Sequence, residues 1–329
     1  LTASSAEYYA ELQQAADAAA FDESRGSPWN RPILNRICDY VALIVTPLNM
    51  RIRGISLQAV GPQRVVVKVA GLQNVSIIFA PVEQLAGEVF LRRIAAQKHL
   101  PFPHIIKSDV SFAVVPTGYV ISTYISGSTL DTITDDTLQR VGARQIGRAM
   151  RTLHGVSAPA FGAPQPNGNW KNLTWPVVLR EWFTTKGSID LLADTVGPHL
   201  GKRFWDTWLR QPFLALTDAM VIHGDIHPKH AHVSVSSHVQ LDGIDAAGLI
   251  VAGDPMLDVA MSMRAGFHAE FRLGFNEGYT ATVPLTSAEV VRVKHYLMTF
   301  RVIDALDDPT LDRESFATSV QHAIASLTH

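Results

Sequence analysis

The densest chemistry in the 329-residue chain lies between Val221 and Val233, where the order is Val-Ile-His-Gly-Asp-Ile-His-Pro-Lys-His-Ala-His-Val. His223, His227, His230 and His232 share this stretch with one carboxylate, Asp225, and Asp242 and Asp245 follow. Imidazoles and carboxylates set between apolar strands need partners, because burying them unpaired is costly. Such clustering is the usual mark of a reactive site. A second feature lies upstream, at Lys68 within Val65-Val66-Val67-Lys68-Val69. Strand alternation puts Val66 and Lys68 on one sheet face. An ammonium there needs a counter-charge such as a phosphate, unless the strand is an edge that the lysine protects.

Positioning these groups takes a definite order of elements. Ser4-x-x-Glu7 suits a capping box and predicts a helix through Tyr8–Phe21. Asp22–Arg31, with Gly26, Ser27 and Pro28, predicts a loop. Between 50 and 80 the period changes to β-branched runs broken by Gly54, Gly61 and Gly71, predicting a small sheet of hairpins. Glu83–His99 has helical spacing and stops before Pro101 and Pro103. Tyr119–Ile125 predicts another strand, closed by Gly127. Helices then dominate: one carrying Ala143, Ile146, Met150 and Leu153, two near Val177–Phe183 and Phe204–Leu214, and one capped by Thr286-x-x-Glu289. The expected fold is α+β. Residues 1–50 form an N-terminal helical segment, 51–125 a small β-rich lobe and 126–329 a larger α-helical lobe, with a cleft between the lobes.

Composition narrows the function classes. Hydrophobic residues make up 47% and charged residues 18%, enough for a packed core and too apolar for a disordered chain. A net charge of −2 supplies no basic excess for nonspecific nucleic-acid binding. The single cysteine, Cys38, excludes an internal disulfide and a Cys-rich zinc site. No apolar run approaches the ~18 residues of a membrane helix. The first residues, Leu1-Thr2-Ala3-Ser4-Ser5, lack both a signal-peptide pattern and an initiator methionine, so a trimmed cytoplasmic chain is expected.

Three ordered motifs carry a family resemblance. His223-Gly224-Asp225-Ile226-His227-Pro228 resembles the catalytic loop of aminoglycoside phosphotransferase-like kinases, which share the two-lobed protein-kinase fold. Ile244-Asp245 resembles their metal-binding strand end, and Gly253-Asp254-Pro255-Met256-Leu257-Asp258-Val259-Ala260 resembles their Gly-Asp-Pro-x-x-Asp-Leu-Ala segment. The resemblance spans roughly residues 50–300. It implies an enzyme that moves a γ-phosphate from ATP or GTP to an alcohol group of a small molecule. Asp225 would orient the acceptor hydroxyl and take its proton. His230 and Asp245 would hold Mg2+, with Asp242 the rival to Asp245. Asp258 would brace the loop from below.

Where the family has Asn, this chain has His230, an imidazole offered to a hard cation that prefers oxygen. That departure leaves weaker metal binding, tolerance of Mn2+ or loss of activity as readings. The macrolide phosphotransferase branch carries the same histidine, which points to an active kinase with a macrolide-like acceptor. GTP use is associated with that branch. Asp225 to Asp245 is 20 residues, one longer than the family spacing, and the turn at Ser234–His238 is the expected place for the extra residue. Ala246 stands where an aromatic is usual. In the small lobe the resemblance implies that Lys68 pairs with Glu88, with Glu83 as rival. Backbone groups of Thr123 and Ile125 would meet the purine, and Gly54-Ile55-Ser56 stands where a glycine-rich loop belongs.

The acceptor is expected along helices near Trp175–Lys186, Trp205–Leu214 and Phe267–Tyr279, where aromatics outnumber acids. The leading reading is an antibiotic kinase, macrolide-like or aminoglycoside-like. Three alternatives stand beside it: a choline- or homoserine-type metabolite kinase, a catalytically weak nucleotide-binding regulator, and a metallohydrolase built on His223, Asp225, His227 and His230.

Overall fold

The computed structural model describes residues 3–22, 24–236, 238–245 and 248–328, with side chains from residue 6 onward. The chain divides into two compact units. The first runs to Gln97 and adds Phe102–Ser126 and Pro164–Asn169; the second holds Lys98–Pro101, Gly127–Ala163 and the chain from Trp170 onward.

The first unit starts with helices α1 (Ala3–Phe21), α2 (Arg31–Leu34) and α3 (Ile37–Val45). Strands β1 (Gly54–Gly61), β2 (Arg64–Ala70) and β3 (Val75–Phe79) follow, then α4 (Val82–Gln97), β4 (Ile105–Asp109) and β5 (Tyr119–Thr123). The five strands form an antiparallel sheet in the order β1-β2-β3-β5-β4. Alternation along β2 buries Val65, Val67 and Val69 on one face and turns Arg64, Val66 and Lys68 to the other. The first face is closed by α1–α3, whose Leu12, Ala16, Leu34, Val41 and Ile44 join those valines in one core. Helices α1–α3 therefore cover one face of the sheet and are not an appendage. On the opposite face Leu85 of α4 packs with Ile78, Val120 and Val66.

Two local expectations change. Helix α1 is already running at Ala3, so Ser4 does not cap it, and the Ser4 side chain lies outside the described residues. Gly54-Ile55-Ser56 is not a loop, because these residues pair with Ala70, Val69 and Lys68 inside the sheet. The β1–β2 connection is Gly61–Arg64 instead. The N-terminal segment straps it: Ser27 Oγ donates to the Pro62 carbonyl at 2.6 Å and Asn30 Nδ2 to the Gly61 carbonyl at 2.8 Å.

The second unit is mainly helical. Its helices are α5 (Asp136–Leu153), α6 (Trp175–Thr185), α7 (Ser188–Val196), α8 (Pro198–Leu209), α9 (Pro255–Ser262), α10 (Ala269–Tyr279), α11 (Ser287–Leu306) and α12 (Arg313–Leu327). The short strands are β6 (Ser128–Thr129), β7 (Met220–Val221), β8 (Ala231–Val235), β9 (Val239–Ile244) and β10 (Ala252–Gly253). Helices α5 and α10 approach so closely that a Cβ on Gly147, Gly274 or Gly278 would strike the facing backbone. Thr286 and Glu289 form the expected capping box on α11. Trp205 and Trp208 do not face an acceptor; they are 1% and 0% exposed and pack with Phe183 at ring-centroid distances of 4.7 and 5.7 Å.

Candidate active site

The His-rich segment forms the loop between β7 and β8. Strand β7 pairs with β10, so Ile222 N–H reaches the Val251 carbonyl and Gly248 N–H returns to the His223 carbonyl at 2.9 Å. Gly224 adopts a left-handed φ of +75° with the Ile250 carbonyl where a side chain would begin, so glycine is required. The loop hangs from one buried carboxylate. Asp258, on the first turns of α9 and 0% exposed, accepts His223 N–H at 2.7 Å and Gly224 N–H at 2.9 Å. His154, the C-cap of α5, adds a third bond through Nε2 at 3.0 Å, and its Nδ1 meets the Tyr279 hydroxyl at 2.9 Å. Burial alone would push the Asp258 carboxyl up, but the bond from His154 and the neighbouring imidazoles and N–H groups outweigh it and hold it below its ordinary value.

Around Asp225 the side chains tie loop and strand together. His223 Nδ1 accepts Asp225 N–H at 3.3 Å, which makes Nε2 the protonated nitrogen, and that nitrogen donates to the Asp245 carbonyl at 3.0 Å. His230 Nδ1 donates to the Asp225 carbonyl at 2.9 Å and lies 3.8 Å from Asp225 Oδ2. Asp245 N–H in turn reaches the His230 carbonyl at 2.9 Å. Asp225, His230 and Asp245 are thus gathered, with His223 as the link.

The Asp225 side chain is 43% exposed, open to an incoming hydroxyl. Burial pushes His230 down from its ordinary value, so at neutral pH it is an uncharged imidazole whose Nε2 carries the lone pair. That nitrogen and the Asp245 carboxylate suit two ligand positions of a cation. Among the described residues no group of three His, Cys, Asp or Glu gathers as a protein-only cage. Such a site would draw its remaining oxygens from phosphates and water.

The other candidates fall into place around this core. Asp242 is bulged from β9, where His232 pairs with Gly243 and Val233 with Leu241. The turn at Ser234–His238 includes a residue outside the described ones. Asp242 accepts the Ser234 hydroxyl at 3.0 Å, which engages it away from the Asp225 loop. Asp245 Oδ2 lies 3.4 Å from His232 Nε2, and that hydrogen bond raises the His232 pKa. Ala246 lies outside the described residues. His227 accepts Lys229 N–H through Nδ1 at 3.0 Å and caps the short turn Pro228–His230, a loop-building role. With His223 and His227 both serving loop backbone, the imidazoles do not converge on a hydrolytic metal.

His227 also gives a pH signature. Burial first, then the charges of Lys229 and His230, depress it to about 4. A depressed histidine contributes stability that is present above its unfolded value near 6.5 and is lost as pH falls toward 4. His227→Asn keeps a capping oxygen and removes the titration. Thermal melts should show wild type and variant alike at pH 8, with the acid-side loss of Tm between pH 6.5 and 4 smaller in the variant. Parallel curves would remove His227 as the titrating group.

In the first unit the expected pair of Lys68 and Glu88 is replaced. Glu88, 2% exposed, takes a two-pronged bond from Arg64, with N–O distances of 2.6 and 3.1 Å, and a further bond from Arg92. Lys68 Nζ lies instead 4.1 Å from the ring centroid of Tyr124. Arg64 and Lys68 share a strand face, and the arginine is the one that reaches α4. Thr123 N–H donates to the His104 carbonyl and its hydroxyl accepts His104 N–H, both at 2.9 Å. Ile125 follows in the half-buried segment after β5.

Comparison with known proteins decides the family. The phosphotransferase enzyme family (APH) matches residues 57–289. The chain belongs to this family. It is a small-molecule phosphotransferase with a protein-kinase-like α+β fold. The macrolide 2′-phosphotransferase MphH from Brachybacterium faecium is similar in structure at TM-score 0.56 and 15% identity, covering 88% of this chain and 97% of its own. A thermostable mutant of aminoglycoside phosphotransferase APH(4)-Ia, in ternary complex with AMP-PNP and hygromycin B, superposes at TM-score 0.59 and 13% identity over 88% and 98%. A fructosamine-3-kinase homologue from Haemophilus somnus gives 0.53 and 13% over 87% and 96%. No curated protein matches the chain. No described helix is long and apolar enough to cross a membrane.

Proposed function

We propose that this phosphotransferase moves the γ-phosphate of ATP or GTP to a hydroxyl of an antibiotic-like small molecule, macrolide-like or aminoglycoside-like, in the cytoplasm. The observation that carries this reading is the constellation of Asp225, His230 and Asp245, suspended with His223 from the buried Asp258. Asp225 aligns the acceptor hydroxyl and receives its proton as the acceptor oxygen attacks phosphorus and the bond to the β-phosphate oxygen breaks. His230 and Asp245 would hold Mg2+, or Mn2+ given the nitrogen ligand, and the cation would neutralise phosphate charge. On the nucleotide side, Lys68 serves the phosphates and Glu88 acts through Arg64. The Thr123 carbonyl and the Ile125 backbone are the purine contacts. GTP use rests on the likeness of the His230 loop to the macrolide branch.

The test is a nucleotide-consumption screen with ATP and GTP against macrolides, aminoglycosides, tuberactinomycin-like peptides, choline, homoserine and a fructosamine. Acceptor-dependent loss of γ-phosphate with an antibiotic supports the proposal. A response to the last three alone moves the function to primary metabolism, the second reading, which the fold shared with the fructosamine-3-kinase homologue favours. Nucleotide binding with no transfer across the panel would make the chain a regulator.

A further inference from the structure

The β1–β2 turn consists of Pro62 and Gln63, set between the paired Gly61 and Arg64. Hairpins this tight favour type I′ or II′ turns, which need a positive φ at the first turn residue. Proline fixes that φ at about −65°, so Pro62 closes both options. Gln63 has no positive φ either. The turn types that remain splay the strands they join, and this hairpin takes its support from outside.

Two elements grip it. From α4, Gln84 Nε2 donates to Gln63 Oε1 at 2.6 Å, and Glu88 takes the two-pronged bond from Arg64. From the N-terminal segment, Ser27 Oγ holds the Pro62 carbonyl and Asn30 Nδ2 the Gly61 carbonyl. Asn30 is the hub of this second grip. It is 0% exposed and stands at the N-cap of α2, yet its side chain makes no cap bond there. Asparagine is a favoured cap because its side chain satisfies the first N–H groups of a helix. Here the amide is directed elsewhere. Nδ2 donates to the Arg25 and Gly61 carbonyls, both at 2.8 Å, and Oδ1 accepts Ser27 N–H at 2.7 Å. Ser27 Oγ in turn accepts Asn30 N–H at 3.1 Å. Gly26 seats the segment on the end of α1, for a Cβ there would lie 2.5 Å from the Ala20 carbonyl oxygen. A cap residue that leaves its own helix uncapped to serve a distant turn marks the turn as the thing it is there to hold.

The sheet register says what the turn stands beside. Val69 pairs with Val75 and Val75 with Thr123, so the purine contacts proposed at Thr123 and Ile125 mark one end of β2. Arg64 lies at the other end, four residues from Lys68 and roughly 13 Å along the same face. A nucleotide with its base at Thr123 and its phosphates running past Lys68 brings the far end of that chain to Arg64. We infer that Asn30 and Ser27 are nucleotide-positioning residues. They fix the Gly61–Arg64 turn, and with it Arg64, where the distal phosphates lie. A turn held in place beforehand loses little freedom when the nucleotide arrives, which is the gain of preorganisation. Their role rests on the nucleotide reading proposed above and extends it to the N-terminal segment.

Calorimetry on the full chain tests it by setting each triphosphate against its own nucleoside, ATP against adenosine and GTP against guanosine. Wild type should bind the triphosphate more tightly. Asn30→Leu keeps the volume and removes the amide bonds without adding charge, and should cut that preference about tenfold. Ser27→Ala removes the bond to Pro62 and should cut it about threefold, while Ser27→Thr restores the hydroxyl and the wild-type preference. Nucleoside affinity should stay within about twofold throughout. A merely structural role lowers the melting temperature and leaves the affinities of the folded protein alone. If Asn30→Leu does not fold, the Ser27 pair carries the test, because the Asn30 amide stays in place in both. An unchanged triphosphate preference, or equal losses for triphosphate and nucleoside, would overturn the positioning role and leave the phosphotransferase reading standing. Lost preference in the variants with no phosphate transfer by wild type to any acceptor would do the reverse. A wild type that binds neither triphosphate would overturn both.

Discussion

Replacing Asp225 by asparagine should lower acceptor-dependent phosphate transfer by about 10²–10⁴-fold, the range for a positioned general base. Nucleotide binding should stay within about twofold, because the proposed phosphate and cation contacts belong to Lys68, His230 and Asp245. The fold should be indifferent as well. Asp225 serves the loop through its backbone, with its N–H on His223 Nδ1 and its carbonyl on His230 Nδ1, and both survive the substitution. Among the described residues its carboxylate has the 3.8 Å approach of His230, and it is 43% exposed, so little stability is lost with it. Steady-state transfer and nucleotide calorimetry on the same preparation check both halves. A variant with wild-type turnover would remove Asp225 as the base, and a variant that no longer binds nucleotide would move its role to the ground state.

The loop chemistry was legible in the sequence because it is local. His223 to Pro228 is contiguous, and Asp258 follows within a short motif, so the bracing of the loop by Asp258 was expected before any packing was known. The Glu88 partner was not legible for a geometric reason. Arg64 and Lys68 lie four residues apart on one strand face, and which of them meets α4 depends on where the helix crosses the sheet. Sequence periodicity carries no information on that crossing. The N-terminal helices were opaque for a different reason: Ala16 and Ala19 of α1 pack against the sheet although alanine periodicity is a weak signal. Asp242 looked like a rival to Asp245 because it is a second carboxylate just before the Ile244-Asp245 pattern, and neither its bulge nor its bond from Ser234 is visible in the sequence. Trp205 and Trp208 lie at helical spacing, a pattern shared by a core and a binding wall, and only burial separates the two. His154 carries no motif of its own; its one trace is a polar residue closing an apolar helix face, just before Gly155.

Asp258→Asn should cost stability and activity together. Oδ1 of Asp258 accepts Gly224 N–H, while Oδ2 accepts both His223 N–H and the proton on His154 Nε2. An asparagine of the same shape has one accepting oxygen, so either orientation sets an amide NH₂ against a backbone N–H. One charge-assisted bond is lost and at least one buried donor is stranded, on the order of 3 kcal/mol in urea unfolding. The sign of its pH dependence follows from the depressed carboxyl. Its contribution is present above the unfolded aspartate value near 3.9 and is lost as pH falls through the lower folded value. The stability gap between wild type and variant should therefore be full at neutral pH and close only in strong acid. Transfer should fall further than the unfolded fraction explains, because the released N–H groups are those that hold His223 and Gly224, and His223 sets the backbone of Asp225 and Asp245. Activity corrected for the folded fraction at low urea separates the two effects. If that corrected kcat equals wild type, Asp258 stabilises the fold and leaves the Asp225 geometry to the β7–β10 pairing. If it falls by tenfold or more, the buried carboxylate sets the geometry in which Asp225 acts.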